Sequence, residues 1–260
     1  STLRLNLHFN QPQNAPALLA MIGLGLLLGV RHSTDADHVV AVTTIVSQQR
    51  KVWDAAMIGA LWGVGHTLTI AVVGSAIILF NVAIPPRIGL SMEFSVAIML
   101  IVLGVLNLTG IMQWITERLA STNKGTPIQN QEGAGQKTES LLDGVASRFG
   151  AYQVIRPLTV GTVHGLAGSA AVALLVLASI TAPGWAVAYL LVFGLGTILG
   201  MMVMTIVIAL PFTCTGSFAR LNSGLRLTSG LVSMAFGLFL AYHIGFVDGL
   251  FTSAPQWIPR

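Results

Sequence analysis

Charge is what this sequence has least of. Only 8% of its 260 residues are Asp, Glu, Lys or Arg, where soluble domains carry roughly a quarter. Such a chain cannot clothe a water-facing surface, so a soluble globular domain is excluded. Polar/apolar alternation over strand-length segments is also lacking, which excludes a membrane barrel. A single cysteine, Cys214, excludes an internal disulfide and a cysteine-pair metal site. No G-x-x-x-x-G-K-[ST] run is present to grip a nucleotide, and no H-E-x-x-H pair to hold a catalytic zinc ion. The net charge of +4 does not point to nucleic acid, because most basic residues fall in a few loops between apolar runs. What is abundant is apolar: 54% hydrophobic residues and a mean hydropathy of +0.79.

A helix rising 1.5 Å per residue needs about 20 apolar residues to cross a hydrocarbon core of roughly 30 Å. The apolar runs predict an all-α integral membrane protein of about six transmembrane helices, near residues 15–48, 54–83, 90–115, 156–181, 185–212 and 225–247. Residues 1–14 form a polar N-terminal tail in which His8 reads as a solvated residue. The polar stretch 117–155, with Lys124-Gly125-Thr126-Pro127 in it, reads as a flexible linker. It divides a first three-helix repeat, 15–116, from a second, 156–250, and 251–260 form a C-terminal tail. Nine Lys and Arg residues fall in the loops after the first, third and fifth spans, against three on the other side. Those loops are therefore expected in the cytoplasm and both ends of the chain outside. The chain opens at Ser1, and an outside N-terminus agrees with removal of a preceding segment.

The stretch Arg31-His32-Ser33-Thr34-Asp35-Ala36-Asp37-His38 breaks the apolar rule inside the first span. Ionisable groups at membrane depth are expensive and mark function. Imidazole plus carboxylate is a ligand set for borderline divalent ions. The plainer reading is an Arg31–Asp ion pair that holds helices together, but an ion pair needs no histidines beside it. The whole span is too long for one straight crossing, so the helix is expected to break or bend near 30–37. At about 100° per residue, His32 and Asp35 share a helix face, while Asp37 and His38 lie about 140° and 120° away on opposite sides. A regular helix cannot aim all four at one ion. In the second span, Gly63-Val64-Gly65-His66-Thr67 adds an imidazole flanked by small residues, which let a neighbouring helix come close.

The two halves resemble each other. Gly29-Val30-Arg31-His32 lines up with Gly161-Thr162-Val163-His164, Gly63-Val64-Gly65-His66 with Gly194-Leu195-Gly196-Thr197, and Leu103-Gly104 with Phe236-Gly237. His32 and His66 are 34 residues apart, His164 and Thr197 33. Three spans per half is an odd number, so the halves should face oppositely across the membrane. Inverted repeats with broken helices and a midplane site belong to many secondary transporters.

The pattern H-x-x-x-x-D-H in Arg31–His38 resembles the signature of the nickel/cobalt transporter family (NiCoT), including its nickel permeases of urease clusters. Gly65-His66-Thr67 is similar to that family's Gly-His-Ser/Thr element. The resemblance covers residues 20–250 or so. It implies inward movement of Ni2+ or Co2+, with His32, Asp37 and His38 binding the ion and Asp35 and His66 close by. The family's second signature carries an acidic residue after a Gly-rich run. Here Gly161-Thr162-Val163-His164-Gly165-Leu166-Ala167-Gly168-Ser169 has none, and His164 stands as its substitute.

The expectation is a secondary transporter taking up Ni2+, or Co2+, at a site of His32, Asp37, His38 and His66. Arg31, Asp35, Thr67, Asn107, His164 and Ser169 are candidates for surrounding or relay groups. Arg31 is expected to pair with a carboxylate and release it on ion entry. The ion is substrate rather than cofactor. The other partner is the lipid bilayer, with no role for nucleic acid, and the location a bacterial inner membrane. No enzyme activity is expected. The alternatives are an exporter of metal, small amino acid or amine on the same scaffold, or a membrane metalloenzyme. Efflux of an amino acid or amine insensitive to chelators would mark the organic-substrate exporter, and hydrolysis or oxidation without ion flux the enzyme.

Overall fold

The computed structural model describes residues 15–47, 49, 51–80, 84–111, 151–167, 180, 183–214 and 219–257. Among them all regular structure is helical. In chain order the helices are α1 (Ala15–His32), α2 (Ala36–Val46), α3 (Val52–Phe80), α4 (Pro86–Thr109), α5 (Ala151–Gly165), α6 (Pro183–Cys214) and α7 (Ala219–Tyr242). A π-helical turn, His243–Val247, extends α7. α3, α4, α6 and α7 together with its π-helical turn are long and apolar enough to cross a membrane, and shorter apolar helices occupy Leu18–His32 and Ala36–Val46.

The first span is indeed interrupted, at Ser33–Asp35 between α1 and α2. α4 closes at Gly110, whose φ of 69° a side chain would strain. α5 begins at Ala151, ahead of the Arg156-Pro157 start that the sequence suggests. Proline is easiest to place in a first turn. Here Pro157 lies inside the helix instead and cannot bond the carbonyl of Gln153. Most of the expected linker and Ser169 lie outside the described residues.

Helix α6 shows why these sequences form spans rather than a soluble bundle. Leu191, Leu195, Leu199, Val203 and Val207 recur at every fourth position, and each is more than half exposed. An outward apolar stripe of that kind suits lipid. Its other face buries Tyr189, Phe193, Thr197, Met201 and Ala209. The main core joins Ala41, Val42 and Ile45 of α2 to Trp62 of α3, Leu100 of α4 and Met201 of α6.

Helix contacts come in exchanged pairs. α1 packs on α6, and α5 packs on α3. A methyl group added at Gly29 would strike the Phe193 carbonyl and the Thr197 nitrogen. One added at Gly161 would strike the Trp62 carbonyl and the His66 nitrogen. Likewise Gly65 faces the Leu158 carbonyl, and Gly196 the Leu26 carbonyl. Between α4 and α7, Gly104 faces Gly230 and Met234 while Gly237 faces Ala97 and Ile101. Each contact recurs at the positions that the sequence alignment of the two halves matches. Lipid tails are as apolar as leucine, so helices in a bilayer associate through such close backbone approach.

Gly161→Val is therefore expected to destabilise the detergent-solubilised protein by about 2 kcal/mol or more, as overpacking against backbone does. Gly23→Val, where a methyl group would meet nothing within 4 Å, should leave the melting temperature within a degree or two. Thermal unfolding of both variants checks the pair.

Candidate metal centre

The break between α1 and α2 is built from short polar side chains. The Ser33 hydroxyl donates to the Val30 carbonyl at 2.6 Å and the Thr34 hydroxyl to the Arg31 carbonyl at 2.6 Å. The Thr34 and Asp35 amides bond the Arg31 and His32 carbonyls at 2.9 and 3.1 Å. Carbonyls that a helix end would leave open are thus satisfied. Asp35 takes an extended conformation (φ −61°, ψ 148°) at the start of α2 and makes no side-chain cap bond. Its carboxylate turns to histidine instead.

His32 Nδ1–H donates to Asp35 Oδ2 at 2.9 Å. His38 Nδ1–H donates to Asp37 Oδ1 at 3.1 Å, and the His38 backbone N–H reaches the same oxygen at 2.9 Å. His164 Nε2–H, from α5, donates to Asp37 Oδ2 at 3.0 Å. Ionised carboxylates only accept, so each bonded ring nitrogen carries the proton. His32 then presents a lone pair at Nε2, which accepts from His66 Nε2 at 3.0 Å. Among the described residues three buried imidazole nitrogens have no hydrogen-bond partner, His38 Nε2, His66 Nδ1 and His164 Nδ1, and neither has the indole Nε1 of Trp62 beside them. Unpaired buried polar atoms cost roughly 1–3 kcal/mol each and ask for an explanation. A cation drawn into the cluster would use His38 Nε2, and the other two nitrogens are open to take up ring protons that the ion displaces.

The four rings lie together, with centroids 4.0 Å apart for His38 and His164, 4.8 Å for His32 and His38, and 5.1 Å for His32 and His66. His38, His66 and His164 have no solvent exposure, and His32 has 6%. Two ligand groups emerge: His32, His38 and His66, and Asp37, His38 and His164. In each, the ligand atoms lie within 4.8 Å of one another. An ion bound to nitrogen at about 2.1 Å spans at most about 4.2 Å between opposite ligands, so either group need close by only about half an ångström.

The expected residues divide accordingly. His32, His38 and His66 come together, while Asp37 turns to His38 and His164. Asp35 holds His32. Metal-binding histidines commonly donate their second N–H to a carboxylate in this way. The expected Arg31–carboxylate pair is not present among the described residues. Arg31 is exposed, and both carboxylates are taken up by imidazoles. Thr67 donates to the Gly194 carbonyl at 3.1 Å, bridging α3 and α6. Asn107 donates to Ser229 Oγ at 3.0 Å and to the Arg226 carbonyl at 3.1 Å, bridging α4 and α7. Both serve packing between helices. Trp62 is the residue that reading the sequence missed. It stacks over His38 with centroids 6.3 Å apart and meets His164 edge-on at 5.8 Å. Its place one helical turn before His66 was the available signal.

Asp35 and Asp37, with Glu93 of α4, line a cavity of about 350 Å³ that Ala167, Phe236, Leu240 and Ile244 help to wall. Glu93 Oε1 accepts from Trp257 Nε1 at 2.8 Å, tying the C-terminal segment to the cavity rim.

Helices with lipid-suited faces, around buried imidazoles oriented by carboxylates, define a multi-pass membrane protein with an interior suited to a divalent cation. The chain belongs to the NicO family, whose model, described as a high-affinity nickel-transport protein, matches residues 18–247. It is therefore a transporter of a divalent transition-metal ion, and the ion is its substrate. Urease accessory protein UreH of Bacillus sp. (strain TB-90) is 33% identical over 234 residues, covering 90% of this chain and 96% of that protein. No solved structure matches significantly.

Replacing Asp35 with Asn removes the charge that fixes the His32 ring without adding bulk. Ni2+ affinity of Asp35→Asn, titrated calorimetrically in detergent, should fall 10- to 100-fold, as losses of orienting carboxylates do.

Proposed function

We propose that this protein carries Ni2+, with Co2+ as the near neighbour, into the cell across the bacterial inner membrane. The ion enters the carboxylate-lined cavity and binds among His32, His38 and His66. Asp35 and Asp37 supply orientation and two negative charges that offset the ion's desolvation. The observation that carries this reading is the pair of carboxylate–imidazole units at the helix break, which turn the His32 and His38 Nε2 lone pairs to one interior point. His66 joins them once its Nε2 proton moves to Nδ1. Nitrogen donors favour Ni2+ over Co2+ in intrinsic affinity.

Direction follows from the loop charges. With the Arg- and Lys-rich loops in the cytoplasm, the cavity lies toward the outer face, near the start of α4 and the end of α7. An inside-negative potential favours entry of a divalent cation by about 4.6 kcal/mol per 100 mV. The two halves, 15–116 and 156–250, act as inverted three-helix units that rock about the site.

Uptake of Ni2+ into proteoliposomes tests the reading. Wild-type uptake should rise with an inside-negative diffusion potential, and His38→Ala should reduce it at least tenfold. Vesicles that stay impermeable to Ni2+ and Co2+ would overturn it. Ni2+ affinity should also fall on acidification, because a protonated imidazole has no lone pair to give. Binding that stays unchanged down to the acid limit of the folded protein would count against histidine ligation.

A further inference from the structure

Resting on that reading, we infer that the cargo occupies two positions in turn, and that His38 passes it from one to the other. The inner position is His32, His38 and His66. The outer one is Asp37, His38 and His164. Both groups are compact enough for one ion, and they share a single residue. The outer group contains Asp37, whose carboxylate lines the cavity and whose side chain retains 19% exposure. The inner group is almost wholly buried. Asp35, 45% exposed, lines the same cavity but belongs to neither group, so the first ligand that an ion arriving from the cavity meets is Asp37.

Proton bookkeeping makes the positions exclusive. A neutral imidazole has one lone pair. At rest His38 carries its proton on Nδ1, toward Asp37, and its lone pair on Nε2. That tautomer serves the inner position. For an ion at the outer position, bound by Asp37, His38 Nδ1 and His164 Nε2, the protons now given to Asp37 shift to His38 Nε2 and His164 Nδ1. Both of these atoms are unpartnered at rest. The lone pair of His38 is then withdrawn from the inner position. Return of the proton to Nδ1 hands the ion inward. The unpaired nitrogen on His164 is thereby accounted for, and so is the placing of one imidazole of the second half against a carboxylate of the first.

The test uses the full chain. Equilibrium binding of radioactive Ni2+ in detergent should give one ion per wild-type chain. His66→Ala, which opens the inner position, should still bind one Ni2+ at least tenfold more weakly. Adding His164→Ala to it should weaken binding a further tenfold or more. In proteoliposomes His164→Ala should cut uptake at least tenfold, a larger loss than that of its Ni2+ affinity. His164→Gln keeps an N–H donor for Asp37 and lacks the imidazole, so its uptake should be as low. Rescue of uptake by glutamine would reduce His164 to a positioning role and overturn the inference. So would two Ni2+ bound per wild-type chain, or wild-type uptake in His164→Ala. A wild-type protein that neither binds nor takes up Ni2+ would instead overturn the nickel reading itself.

Discussion

Everything in this molecule turns on how two carboxylates inside the helix bundle are satisfied by imidazoles. Isolated charges at membrane depth cost several kcal/mol. Asp35 and Asp37 meet that cost by accepting from imidazoles of three different histidines. Asp37 uses one oxygen for its neighbour His38 and the other for His164, 127 residues away. A carboxylate thereby ties the first helical hairpin to the second half of the chain. The pairing also fixes which nitrogen of each ring keeps its lone pair, and so sets where a cation can bind.

Those bonds require helices that nearly touch. α3 and α5 approach through Gly65 and Gly161, and α1 and α6 through Gly29 and Gly196. His66 and His164 are each within a turn of such a glycine. The same residues that let backbones meet therefore deliver imidazoles from two helices to the break between α1 and α2. Apolar stripes such as that of α6 face outward and carry no part of the chemistry. Stability and site geometry draw on the same small-residue seams, and a side chain added there disturbs both.

The site combines neutral nitrogen donors with fixed negative charge beside them. Three lone pairs lie unused at rest, so the cluster is prepared for a cation instead of being filled by its own hydrogen bonds. The cavity brings solvent to the carboxylate side of the cluster, and buried rings close the other. An ion exchanges water for oxygen before nitrogen, which spreads its dehydration over steps.

By itself the sequence determined the class of protein and the location of its chemistry. Scarce charge and long apolar runs require helices in a bilayer, and His32, Asp35, Asp37 and His38 stand out because nothing polar surrounds them. The helix break was legible too, since 100° per residue cannot bring those four side chains to one point. Glycine matches between the halves were visible, though not that they form the contacts. Only the tertiary structure decided how the ligands are grouped. Distance along the chain gives no hint that Asp37 would turn to His164 and leave His66 to His32, because that depends on which helices approach closely. It also decided that Arg31 stays outside the cluster, since each carboxylate has an imidazole nearer to hand. Trp62 became part of the site for the same reason: its place one turn before His66 was visible, but packing between α3 and α5 lays its ring against the histidines.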